Sequence, residues 1–456
     1  MQHPVVVIGA GPVGLAAAAH LRERGRDVLV LEAGASAGAA VSEWGHVRTF
    51  TPWRWIVDEA ARRLLLEQGW TEPGGDVPPT GAEIVAAYVA PLADALGEAV
   101  RTGARVVAVT RAAMDKTRSA GRAAQPFLVR YADREGREHD ALAAAVVDAS
   151  GTWGSPNPLG AGGLPARGER AAGPFLVGPL PDVLGADRAR YAGRRTLVAG
   201  LGHSAATTLL ALGRLVEEEP GTEVLWAIRG ADPARLYGGG EADELPARGR
   251  LGADLRRLVD SGAVRLLTET RIEELVPGEA TVTVLGRSSE GPFSLEVHQI
   301  AAATGFRPDL AMLAELRLDL DPGLEAPTAL APLIDPEHHS CGTVAPHGHR
   351  DLAHPEPGFY VVGMKSYGRA PTFLLATGNE QVRSVAAAIA GDLAAADAVA
   401  LELPETGVCS VRGAEPSAPG AGADAACCGT PEPVDPFHRP LPEGAVAVGF
   451  ATGAAR

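Results

Sequence analysis

The chain has 456 residues, 46% of them hydrophobic and 21% charged, with a formal net charge of −15. At about 100–200 residues per domain this gives two or three domains with real cores, and excludes a disulfide-stapled miniprotein or a disordered chain. The acidic balance repels a phosphate backbone and argues against nucleic-acid binding.

The first elements read as strand, turn and helix. Residues 5–8 are a continuous apolar run suited to a strand buried on both faces. A glycine turn spans 9–14, a helix 15–24, and a second buried strand 27–31 ends at Glu32, which makes a βαβ unit of about 30 residues. Short strands follow at 105–110, 127–131 and 140–148. A second βαβ unit lies mid-chain, with a strand at 195–199, a turn at 200–204, a helix at 205–218 and a strand at 223–228. Strands at 264–268, 281–285 and 293–302 repeat the earlier set. Each set ends in a similar phrase, Asp148-Ala149-Ser150-Gly151 and Ala303-Thr304-Gly305-Phe306. One more strand at 359–363 precedes a helix at 379–390. From about 404 the chain is rich in Pro, Gly and Ala without periodicity and reads as an irregular tail.

The apolar start is interrupted by Gly9, Gly11, Pro12 and Gly14 and follows no basic segment, so it reads neither as a leader nor as a membrane span. Four cysteines form no CxxC pair, and a reducing cytoplasm is expected.

Gly9-x-Gly11-x-x-Gly14 follows a strand and opens a helix. The first glycine permits the tight turn, the second lets a diphosphate approach the backbone, and the third lets helix and strand pack closely. Glu32 is placed to accept from ribose hydroxyls and would repel a 2′-phosphate. FAD is the expected occupant. In Gly200-x-Gly202-His203-Ser204-Ala205 the third glycine is replaced, yet the strand–turn–helix context supports a nicotinamide nucleotide. Arg229 stands where the first unit has Glu32, so NADPH is favoured over NADH. The plainer alternative for Arg229 is a solvated surface side chain. His203 reads as a structural or phosphate-facing residue.

Four aromatics fall between Trp44 and Trp55 in a chain with only 5% aromatic residues. The stretch reads as a flavin-side wall with His46 and Arg48 as its polar groups, or as a core plug. The turn Gly363-Met364-Lys365-Ser366-Tyr367 ends a late strand and is placed to meet the flavin ribityl chain. His46, Arg48, Trp53, Lys365 and Tyr367 are the candidate catalytic side chains, and none is singled out as acid or base. His338, His339, Cys341, His347, His349 and His354 match no standard zinc spacing. Cys409, Cys427 and Cys428 read as inert thiols or as soft-ion ligands for trivalent arsenic or mercury.

Together these residues resemble the two-dinucleotide-binding-domain flavoproteins, which include flavin-binding monooxygenases and thioredoxin-reductase-like enzymes. The resemblance covers about 3–395. The Trp44-Gly45-His46-Val47-Arg48 run, the Gly202-His203-Ser204-Ala205 turn and the 363–377 stretch are similar to flavoproteins of bacterial arsenic-resistance gene clusters. Departures exist. No F-x-G-x-x-x-H precedes the second turn, and the late Gly-Asp of the reductases is Gly363-Met364 here.

The resemblance implies an α/β fold of two Rossmann-like, three-layer ββα domains. An FAD domain at 1–155 and 300–395 is split by an NADPH domain at 156–299, with a tail over 396–456. Gly9, Gly11, Gly14, Glu32, Gly151, Gly363 and Met364 are assigned to FAD, and Gly200, Gly202, His203, Ser204 and Arg229 to NADPH. The expected function is NADPH-driven oxygenation of a small soft substrate with O2, an organoarsenical being one example. The alternatives are a reductase or oxidase without oxygen insertion, and a flavin-bearing metalloid-binding protein.

Overall fold

In the computed structural model β1 (Val5–Ile8) is buried along its whole length, as a strand covered on both faces must be. Residues 3–237, 246–336, 344, 346–370 and 373–401 are described. They fall within one compact unit, Met1–Val411. Cys341, Cys409, Cys427 and Cys428, with His338, His339 and the tail from 402 onward, lie outside the described residues.

The turn after β1 leads into α1 (Pro12–Glu23), with Pro12 at the first helical position, where its missing N–H costs nothing. The chain continues through β2 (Val28–Glu32), β3 (Val100–Thr102) and a meander of β4 (Arg105–Arg111), β5 (Phe127–Ala132) and β6 (Glu138–Ala143). β7 (Ala145–Asp148) returns beside β1. β8 (Leu176–Val177), β9 (Arg195–Ala199), α2 (His203–Glu218), β10 (Glu223–Ala227) and β11 (Arg265–Leu267) come next. A second meander consists of β12 (Arg271–Pro277), β13 (Val282–Ser288) and β14 (Gly291–Val297). β15 (Gln299–Ala302), β16 (Phe359–Val361) and α3 (Leu375–Ala390) follow.

Two all-parallel five-stranded sheets result, ordered β16-β7-β1-β2-β3 and β11-β10-β9-β15-β8, and each meander is an antiparallel three-stranded sheet. Strand alternation sorts the layers. Val5 and Val7 share a core with Leu15 of α1 and Val382 of α3, whereas Val6 and Ile8 pack on Val109, Phe127 and Val129 of the first meander. In the second half Val198 faces Leu209 of α2, and Leu197 and Ala199 face Val282 and Val284 of the second meander. Each half is therefore meander, sheet and helix, the three-layer ββα arrangement expected from sequence.

Two strand boundaries differ from the sequence reading, in the same way. The runs at 140–148 and 293–302 each divide into a meander strand and a parallel strand. The breaks fall at Ala144, whose N–H donates to Pro4 O, and at His298, whose N–H donates to Arg195 O. A single residue redirects the chain between sheets, and a continuous apolar run hides it. Because β15 pairs with β9, the second connection between the parallel sheets begins after Ala302, slightly beyond 300. The helix expected at 379–390 begins at Leu375, and a short helix, Leu393–Asp397, follows it. Among the described residues no helix is long and apolar enough to cross a membrane.

Candidate functional site

In both parallel sheets chain order reverses beside the first strand of the βαβ unit. β2 follows β1 on one side and β7 lies on the other; β10 and β15 flank β9 likewise. Such switch points leave a crevice beyond the carboxyl ends of the strands. The glycine turns occupy both crevices, and their geometry repeats. Gly9 has φ +99°, and a Cβ there would lie 2.7 Å from Ala149 O; Gly200 has φ +138°, and its Cβ would lie 1.9 Å from Ala303 O. Each turn is thus seated against the Ser/Thr-Gly phrase of its own half. At Gly11 and Gly202, by contrast, a Cβ would meet nothing within 4 Å. These two glycines face open space. Neither α1 nor α2 has a side-chain cap or an acidic residue in its first turn, so both helix starts leave backbone N–H groups for an anion.

One cavity of about 1090 Å³ reaches both turns. Gly9, Gly11, Glu32, Gly151, Gly363 and Met364 line it on the first side, and Gly200, Gly202, His203, Ser204 and Arg229 on the second. Gly14 lies behind the first turn, where a Cβ would stand 2.0 Å from Gly9 O. Glu32 accepts from Ala10 N–H at 2.7 Å and from Gly34 N–H at 2.6 Å. Two of its four lone-pair positions remain for hydroxyl donors. Open turns, uncapped helix starts and a carboxylate acceptor fit an adenine dinucleotide on the first side.

On the second side Arg229 is exposed on the cavity rim. Arg271, at the start of β12, lines the same region and was not singled out from sequence. It sits 42 residues beyond Arg229 in an antiparallel strand, where spacing gives no signal. Neither guanidinium has a carboxylate partner among the described residues. Their chemistry fits a 2′-phosphate.

The aromatic stretch is divided. Trp44 lines the cavity. Phe50 packs its ring on His203 with centroids 5.2 Å apart, so the stretch touches the second turn. Trp53 is only 5% exposed and belongs to the core around α1. His46 and Arg48 are exposed, and Arg48 donates to Pro78 O at 2.6 Å and to Glu83 at 3.4 Å. Lys365 (1% exposed) and Tyr367 are buried. None of His46, Arg48, Trp53, Lys365 and Tyr367 lines the cavity. The physical reason is packing: the 363–367 turn presents Gly363 and Met364 to the cavity and directs Lys365 beneath the floor. There Lys365 Nζ donates to Asp148 Oδ2 at 2.7 Å and to Ser150 Oγ at 3.0 Å, while Ser150 Oγ donates to Asp148 Oδ1 at 2.6 Å. The Tyr367 ring stands edge-on to Phe373, and burial raises its phenol pKa.

The two connections between the parallel sheets run side by side. Asn157 N–H donates to Gly305 O and Arg307 N–H to Ser155 O, and Trp153 packs on Phe306 with centroids 5.1 Å apart. Trp153 Nε1 donates to Glu43 at 2.6 Å. Among the described residues no group of His, Cys, Asp and Glu could hold a metal ion. His347, His349 and His354 bond separately, to Gln381, Asp397 and the Asp319 backbone.

Residues 7–77 match the NAD(P)-binding Rossmann-like domain. No curated protein gives a significant sequence match. Solved structures of like fold include the bacillithiol disulfide reductase of Bacillus cereus, 18% identical over 86% of this chain and 99% of that one, with a TM-score of 0.63. The FAD-bound cadaverine monooxygenase of Erwinia amylovora is 14% identical over 94% and 100%, with a TM-score of 0.59. The ornithine N-hydroxylase of Kutzneria sp. 744, solved with reduced FAD, NADP+ and L-ornithine, is 19% identical over 85% and 99%, with a TM-score of 0.57. The chain shares the fold of these three oxidoreductases.

Proposed function

We propose that the chain is an FAD-dependent, NADPH-using oxidoreductase that oxygenates a small soft nucleophile. The observation that carries the reading is the single cavity joining two open, uncapped glycine turns. In this reading the half built on β1 holds FAD, and the half built on β9 holds NADPH. Gly11 and the start of α1 receive the FAD diphosphate, and Glu32 accepts from the adenosine ribose. Gly202, Ser204 and the start of α2 receive the second diphosphate, with Arg229 and Arg271 on the 2′-phosphate. When bound, FAD supplies hydride acceptance and O2 chemistry. The protein's own part is alignment and dryness: Trp153 and Phe306 fill the seam between the connections, and the Asp148–Lys365 pair fixes the Ser150 hydroxyl in the floor.

A reductase reading without oxygen insertion stays in view because the bacillithiol disulfide reductase shares the fold at a TM-score of 0.63. The deciding experiment loads the purified protein with FAD, confirms the flavin spectrum, and follows NADPH oxidation under 18O2. Labelled product supports the oxygenase. NADPH consumption with only hydrogen peroxide, or with anaerobic disulfide reduction, supports the alternative. Within the oxygenase reading an organoarsenical is the soft substrate to try first, and the tail thiols Cys409, Cys427 and Cys428 are its proposed trivalent-arsenic ligands. Loss of arsenite binding in the triple serine variant, with flavin retained, tests that assignment.

A further inference from the structure

Among the described residues the Asp, Glu, Lys and Arg side chains lining the cavity are Glu32, Arg229, Arg271 and Arg369. Glu32 and the first two arginines are accounted for by the two nucleotides. Arg369 stands apart, beyond the 363–367 turn, next to cavity-lining Ala370 and Phe373.

Its setting is built. Glu325 grips one edge of the guanidinium, accepting from Nε at 2.7 Å and from Nη2 at 3.0 Å. Glu325 has φ +56°, a left-handed conformation that a non-glycine residue holds only where its surroundings impose it. The surroundings do so twice. Asp321 Oδ1 accepts from the N–H groups of Gly323 and Leu324, and Glu325 N–H donates to Asp321 O. Leu324 O in turn accepts from Arg369 N–H at 2.7 Å, and this close approach requires glycine at 368, where a Cβ would lie 2.0 Å from Leu324 O. Backbone docking and turn conformation both serve to bring one carboxylate to one edge of Arg369.

That grip leaves donors over. Nε and one Nη2 hydrogen are used; both Nη1 hydrogens and the outer Nη2 hydrogen have no partner among the described residues. The side chain is 35% exposed. The free Nη1–Nη2 edge has the bite of a carboxylate, phosphonate or sulfonate. With its charge balanced by Glu325, this edge selects by geometry more than by attraction.

We propose that Arg369, oriented by Glu325, receives an oxyanionic group of the substrate, so that the oxygenated molecule is a small acid. This rests on the flavoenzyme reading above and narrows it. In that reading the same cavity also receives the FAD diphosphate and the NADPH phosphates; Arg369 lies beside the FAD-side turn, so the FAD diphosphate is the rival oxyanion, and the test separates it from the substrate.

The FAD-loaded protein is titrated with benzoate, methylphosphonate and neutral benzamide, following the flavin visible spectrum and NADPH oxidation. Both anions should perturb the spectrum saturably, and benzamide should not. Arg369→Gln should raise the anion Kd by about tenfold to a hundredfold, the worth of a bidentate charged contact, while FAD affinity stays within about threefold. Glu325→Gln should weaken the anions less, through lost orientation. An unchanged anion Kd in Arg369→Gln overturns the proposal, as does a tenfold loss of FAD affinity with anion binding intact, which would put Arg369 on the diphosphate. Bound flavin without any anion response overturns it alone. A protein that binds no flavin overturns the preceding section and this one with it.

Discussion

Gly11 and Gly14 lie three residues apart in one motif, yet a methyl group added to each should have opposite consequences. Gly11 sits at φ −77°, ψ 179°, extended backbone that any residue adopts, and its Cβ would meet nothing within 4 Å. Gly11→Ala should therefore leave the flavin-free protein as stable as the unaltered chain, or more stable by about 0.4–1 kcal/mol through the unfolded state. Gly14→Ala pushes a Cβ to 2.0 Å from Gly9 O, so α1 must move away from the turn. Such overpacking costs about 1–3 kcal/mol or more. With FAD present the order changes. In the proposed reading the space in front of Gly11 takes the diphosphate. Losing two charged hydrogen bonds there removes about 3–6 kcal/mol, roughly two to four orders of magnitude in Kd. Thermal melts of the flavin-free variants, at about 2–4 °C per kcal/mol, and flavin fluorescence titrations measure the two halves separately. Gly11→Ala with FAD affinity within about threefold of the unaltered protein would refute the reasoning. So would a Gly11→Ala apoprotein that melts as low as Gly14→Ala.

Arg229→Ala and Arg271→Ala should each raise KM for NADPH by about tenfold to a hundredfold and leave NADH unaffected; equal use of both nucleotides by the unaltered protein would count against this. Trp53→Ala should lower stability by about 3–5 kcal/mol in urea titrations, with unchanged kinetics in the flavin-loaded fraction, because Trp53 is core. Burial lowers the pKa of His354 to about 4. Its unfolded value is about 6.5, so between these values the unfolded chain binds more protons. Stability should be whole above pH 6.5 and fall by about 3 kcal/mol as pH drops to 4. His354→Gln should flatten that slope, and an unchanged slope removes His354 from the account.

The elements best legible in the sequence were those whose signal is local. Gly9–Gly14 and Gly200–Ala205 announce themselves because a tight turn, an open face and a helix start must follow one strand within six residues. The break at Ala144 did not, because a buried parallel strand and the inner end of a meander strand are both apolar, and only sheet pairing tells them apart. The aromatic stretch was rightly unusual but was not one thing: Trp44 meets the cavity, Phe50 the second turn and Trp53 the core. Arg271 and the Arg369–Glu325 pair were invisible, since their meaning lies in a shared cavity and in a contact 44 residues apart. Lys365 was a candidate through its place in the late turn; its partner Asp148, 217 residues away, explains its burial.

The sealed position of Lys365 has a practical corollary. Of 41 basic residues only Lys116 and Lys365 are lysine, and Lys116 is exposed. A lysine-specific protease acting on the folded chain therefore has one accessible cleavage site, at Lys116, and gains its second only when the floor beneath the first glycine turn opens. The appearance of the second cut is a built-in clock for that opening, and bound flavin should slow it.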